Sequence, residues 1–119
     1  MNNIPYLDLT IRYNIIDEPT YHLENNLKYI IHYDGIVNLT MPNTSEFMDE
    51  ISIVHSNKYQ NSAYTIYLHD DQKIQINYNA ETTIGGSLKS ECIFDMITLI
   101  YLNNGNWMGR PVIGDFILK

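Results

Sequence analysis

Apolar and polar residues alternate along most of this chain with a period of two. Leu7, Leu9, Ile11, Tyr13 and Ile15 interleave with Asp8, Thr10, Arg12 and Asn14. That is the pattern of a half-buried strand over Tyr6 to Ile16, closed by Asp17-Glu18-Pro19 because proline has no N–H to give to a ladder. A second run, Tyr21 to Tyr33, is followed by Asp34-Gly35 and then by Ile36 to Met41. Asp-Gly between β-rich segments is a hairpin signal, since both turn positions need a positive φ. Placing Tyr33 opposite Ile36 puts Ile30, His32, Val37, Leu39 and Met41 on the core face. Tyr29, Ile31, Tyr33, Ile36, Asn38 and Thr40 then form a partly exposed face. A helix over Leu23 to Ile31 competes with the first strand, but the β-branched and aromatic residues near the turn favour strand.

Pro42 to Ser45 reads as a loop. Glu46, Asp49 and Glu50 cluster around Phe47 and Met48, where Ser45 could cap a single helical turn. Ile51 to His55 reads as a short strand. Ala63 to His69 and Lys73 to Asn79 read as a second hairpin. A three-residue loop, Asp70-Asp71-Gln72, aligns Leu68 with Ile74, Ile66 with Ile76 and Tyr64 with Tyr78, so apolar meets apolar.

From Ser87 the period changes. Leu88, Cys92, Ile93, Met96, Ile97, Ile100 and Tyr101 fall on one helical face, with Ser87 as N-cap and Asn103-Asn104-Gly105 as the stop. The spacing predicts a helix over about 87–103. A long buried strand through Phe94, Met96, Thr98 and Ile100 is the rival. Asn106 to Pro111 reads as a loop, and Val112 to Leu118 as a last strand with Gly114 at a bulge. The expected fold is therefore α+β: a mainly antiparallel sheet of about six or seven strands with one long helix packed on it. At 119 residues the chain makes a single domain, residues 1–119.

Composition narrows the function more than the motifs do. The formal net charge is −7, from fourteen acids against seven bases, and the chain carries ten tyrosines. No basic cluster could neutralise phosphates, which argues against direct nucleic-acid binding. No apolar run approaches the roughly 18 residues of a membrane span, and the start lacks a basic region followed by an apolar run. The single cysteine, Cys92, has no partner for a disulfide, which suits a reducing compartment and a cytoplasmic protein.

Candidate chemistry is sparse. His22, His32, His55 and His69 show no metal-ligand spacing, and Cys92 falls on the apolar face of the expected helix. Asp17-Glu18, Asp49-Glu50 and Asp70-Asp71 are adjacent acids in turns, which are ordinarily solvated. No cofactor, metal or catalytic residue is expected. The tail groups Trp107 with Arg110 and Asp115; either Trp107 closes the core while Arg110 pairs with Asp115, or Trp107 and Arg110 anchor an interface.

The sequence is best read as a small acidic protein-binding inhibitor of the immunity or antitoxin kind. It would occlude a basic partner protein, such as a toxin or defence effector, through complementary charge. The expected contacts are Tyr29, Tyr33, Glu46, Asp49, Glu50, Tyr67, Asp70, Asp71, Trp107 and Arg110. A viral or phage protein that antagonises a host defence component meets the same physical requirements. A small-molecule-binding domain with a pocket of Tyr13, His32, Tyr64 and Tyr78 is the other alternative.

Overall fold

The structure, a computed structural model, describes residues 13–119 apart from Tyr78, with Pro111 described in its backbone alone. Most of the expected first strand and the Tyr78 position therefore lie outside the described residues. Alternation governs the rest. The described residues form twelve strands and no helix, so the α+β expectation gives way to an all-β fold.

The strands are β1 (Tyr13–Ile16), β2 (Thr20–His22), β3 (Leu27–Ile31), β4 (Ile36–Thr40), β5 (Glu50–His55) and β6 (Ala63–Tyr67). They continue with β7 (Lys73–Asn77), β8 (Ala80–Glu81), β9 (Ser87–Ser90), β10 (Met96–Asn103), β11 (Asn106–Ile113) and β12 (Phe116–Leu118). One sheet has the order β1-β3-β5-β10-β11-β7-β8 and the other β12-β9-β6-β4-β2. The first six strands alternate between the sheets, with β1, β3 and β5 parallel in one and β2, β4 and β6 parallel in the other. This half of the chain winds as a flattened coil, one strand per sheet on each turn. From β9 onward the chain returns antiparallel, β9 on β6 and β10 on β5. The sheets are thus mixed rather than mainly antiparallel.

Both expected hairpins are corners between the sheets. At Asp34-Gly35 only the glycine takes a positive φ, 141°, so the turn that would fold β4 back onto β3 does not form. The Gly35 carbonyl instead accepts a hydrogen bond from Ala63 N, on the next turn of the coil (3.0 Å). With no hairpin, side-chain parity does not carry across the corner. Val37, Leu39 and Met41 are buried as expected, but so are Tyr29 and Ile31, which the hairpin register placed outward. Around the second corner, Asp70-Asp71, Tyr64, Ile66, Leu68 and Ile74 are buried as expected, and Thr65 between them is buried too. Its strands again lie in different sheets, and β7 pairs with β11, in parallel.

The expected helix over 87–103 is β9, a turn at Cys92–Asp95, and β10. The chain here contains Ile93, Ile97, Thr98 and Ile100, β-branched residues that fit a pleated surface better than a helix. The rival strand reading was correct in type. Its parity is reversed, however: Ile97 and Leu99 are buried, while Phe94 is exposed. Asn104 (φ 50°) and Gly105 (φ 81°) both take positive φ and join β10 to β11 in a two-residue hairpin, with Asn103 opposite Asn106. The segment read as a loop, Asn106 to Pro111, is most of β11. Cys92 is exposed, because the turn carries it out of the core.

The core fills the space between the sheets. Tyr29, Ile31, Val37, Leu39, Ile51, Ile53, Tyr64, Ile66, Ile74, Leu88, Leu99 and Trp107 are essentially inaccessible. Each such side chain contributes roughly 1.5–3 kcal/mol through its burial. No helix among the described residues is long and apolar enough to cross a membrane.

Candidate functional site

Because the strands run between the same two ends of the sandwich, loops far apart in sequence gather at each end. At one end the corner 23–26, the loop 41–49, the corner 68–72 and the Asn104-Gly105 turn come together. They carry Glu24, Glu46, Asp49, Asp70 and Asp71, and Glu50 begins the strand beside them. The two acidic segments picked out from sequence are joined here by hydrogen bonds.

The junction is built by Gln72 and His69. His69 Nε2 lies 2.8 Å from the Met41 carbonyl oxygen. Gln72 Nε2 donates to the Pro42 carbonyl (2.9 Å), while its Oε1 accepts from His69 N (2.9 Å). Its carbonyl accepts from Gly85 N (2.8 Å), tying in a third segment. Gln72 is buried, although the sequence pattern placed it in a solvated loop. Burial of an amide is tolerable because its polar atoms are paired. The Asn104-Gly105 turn packs against the same corner: a Cβ at Gly105 would overlap the Asp71 carbonyl oxygen.

Loop 41–49 is held in one conformation. Asp49 Oδ2 accepts from Glu46 N (2.7 Å), and Asp49 Oδ1 accepts from Asn26 Nδ2 (3.0 Å). Asn26 Oδ1 accepts from Glu50 N (3.1 Å). Met48 N donates to the Tyr101 carbonyl and Tyr101 N to the Asp49 carbonyl, both at 2.8 Å. Ser45 does not cap a helical turn; its hydroxyl donates to Asn25 Oδ1 (2.8 Å). The result is a turn, Glu46 to Asp49, with Met48 at φ 75°. A bulky residue in that region is costly and persists only when its surroundings fix it, as these bonds do.

That turn lifts Phe47 and Met48 into solvent, 71% and 56% exposed. An exposed Phe–Met pair on a fixed turn, flanked in sequence by Glu46, Asp49 and Glu50, is a surface that packing does not explain. In the sequence these two residues stand out only as the centre of an acidic cluster. The signal it lacked was long-range: Asn26 and Tyr101 hold the turn.

The remaining expected contacts divide. Tyr67 is 48% exposed and adjoins this end, since its carbonyl accepts from Met41 N (3.3 Å). Tyr29 is buried, and its hydroxyl accepts from Glu24 N (2.8 Å); burial pushes its phenol pKa up. It braces the corner from inside and presents nothing to a partner. Tyr33 lies at the opposite end, beside Gly35. Trp107 is buried on β11 against Tyr101, ring centroids 5.1 Å apart, so it cannot be a surface anchor. Arg110 is exposed on β11 and does not pair with Asp115; the one ion pair among the described residues is Lys73–Glu81. Of the expected Tyr13, His32, Tyr64 and Tyr78 pocket, Tyr64 is sealed in the core, His32 Nδ1 lies 2.8 Å from Ser56 Oγ, and Tyr78 lies outside the described residues. No protein family matches the chain, and no curated protein is similar to it in sequence.

Proposed function

We propose that this protein is a non-enzymatic binding domain that neutralises a basic partner protein by occlusion, docking through the end that carries Phe47 and Met48. The observation that carries the reading is the hydrogen-bonded junction of the 41–49 and 69–72 segments at the same end of the sandwich as the exposed Phe47–Met48 tip. Two apolar side chains on a fixed turn lose little entropy on docking and can fill a partner's pocket. The surrounding acids, Glu46, Glu50, Asp70 and Asp71, steer a basic surface toward them and suppress acidic competitors. Asp49 is a brace rather than an acid or base, because one oxygen accepts from Glu46 N in its own loop and the other from Asn26 Nδ2 of the 23–26 corner.

Immunity or antitoxin action and antagonism of a host defence component make the same demand on this surface and differ in the partner. A cytoplasmic setting fits either, given one cysteine with no second thiol to pair with. The test is capture from the native cell at low and high salt. Wild type should retain a basic protein at low salt, and the Asp70→Asn/Asp71→Asn variant should retain less. Recovery of no basic protein by the wild type at low salt overturns the reading.

A further inference from the structure

The second half of β11 is an edge. β7 pairs with it only at Asn106 to Met108, opposite Lys73 to Gln75. Among the described residues β11 then runs on to Ile113 against β10 alone, past Pro111, which has no N–H to give to a ladder. Where β7 and β11 part, the sheet is split by a cleft of about 600 Å³. That is the size of a site for a small molecule.

The lining is of two kinds. Met108 and Leu102 line it beside Ile76 and Val112, which makes the bulk of the wall aliphatic. Arg110 lies at this cleft and is exposed, with no ion-pair partner among the described residues. Lys73 also borders the cleft, but its ammonium faces Glu81, 3.3 Å from Oε1. Trp107 borders the cleft as well, and its indole Nε1 is buried with no hydrogen-bond partner among the described residues. A buried N–H left unpaired is costly and asks for an explanation. No acid among the described residues lines the cleft, in a chain of net charge −7.

We infer that this cleft is a binding site for a small amphipathic anion, an aliphatic body ending in a carboxylate or phosphate. The body packs among Ile76, Leu102, Met108 and Val112. The head group pairs with the Arg110 guanidinium, whose planar fork suits either oxyanion. The inference stands apart from the docking end: Phe47 and Met48 are not in the lining.

Trp107 is the only tryptophan of the chain, so its emission reports occupancy directly. The experiment titrates the intact protein with octanoate, with octyl phosphate and with octanol over the millimolar range. One or both anions should change Trp107 emission saturably, and the tighter of the two identifies the head group. Octanol should bind about tenfold more weakly, the worth of a charge-assisted pair. Arg110→Gln should weaken the anion about tenfold, leave octanol unchanged, and melt at the wild-type temperature. No saturable response to either anion overturns the inference. So does octanol binding as tightly as the anions, or an Arg110→Gln variant that stays folded and binds them undiminished.

Discussion

Two turns at opposite ends of the sandwich use the same device to different effect. In each, an aspartate closes the turn on itself. Asp49 accepts from Glu46 N, and Asp95 Oδ2 accepts from Glu91 N (2.6 Å) and Cys92 N (2.9 Å). Each turn lifts a phenylalanine into solvent, Phe47 at one end and Phe94, 69% exposed, at the other. Acids crowd both ends, with Asp17, Glu18, Asp34, Glu91 and Asp115 around the second. Charge and an exposed ring therefore do not by themselves distinguish a site. The difference lies in the aspartate. Asp95 is 1% exposed, with His55 and Tyr64 near enough to feel its charge and Gly114 packed upon it. Asp49 is half-buried and bound sideways to Asn26, with the acidic 69–72 corner joined to its loop. One aspartate holds the core closed; the other holds a surface open.

The largest expected effects break the closed end. Asp95→Ala removes the acceptor of two backbone N–H groups and should cost about 2–4 kcal/mol, read from the urea midpoint. Gly114→Ala should be comparably harmful, because the position has φ 104° and a Cβ there would overlap Asp95 Oδ1. Asp49→Ala should cost only about 1–2 kcal/mol of stability, while weakening partner capture more than Asp95→Asn does. Equal losses of stability from Asp49→Ala and Asp95→Ala would erase the distinction between the two ends.

The next effect sharpens the contrast in binding. Phe47→Ala should leave the melting temperature unchanged and weaken the partner complex by about 2 kcal/mol, the size of an interface anchor. Phe94→Ala should leave binding unchanged. A smaller effect is electrostatic. Asp70→Asn/Asp71→Asn should slow association several-fold at low salt, with the difference closing as ionic strength rises.

The smallest is a pH dependence confined to the closed end. Burial holds the His55 pKa below its usual value, with Asp95 acting against this. The unfolded chain then binds a proton at His55 that the folded protein refuses. Stability should therefore rise with pH between the depressed folded value and about 6.5, the unfolded value, and be flat in this term above it. His55→Gln should remove that slope in urea unfolding measured across this range. An unchanged slope would mean that His55 is not the titrating group.

The sequence made the faces of strands legible and left their partners obscure. Alternation alone assigns Val37, Leu39, Tyr64, Ile66 and Ile74 to the core, because parity within a strand is local. Whether the chain turns back in the same sheet or crosses to the other is decided by contacts far along the sequence. Asp34-Gly35 shows the failure: a strong hairpin dipeptide serves as a corner, and Tyr29 was turned outward by a register that does not exist. Asn104-Gly105 shows the opposite. This hairpin dipeptide reads as a helix stop in the sequence, because Leu88, Cys92, Ile97 and Tyr101 happen to suit a helical stripe. The acidic segments were legible as charge. That Gln72, Asn26 and Tyr101 join and fix them was not, since those bonds span up to nearly half the chain.

The most direct measurement places a photo-crosslinking phenylalanine analogue at position 47 in one variant and at position 94 in another. Each is irradiated in native extract at low and at high salt. The account predicts one dominant adduct to a basic protein from position 47, diminished at high salt, and none from position 94. An adduct from position 94 alone, or no adduct from position 47 at low salt, contradicts it.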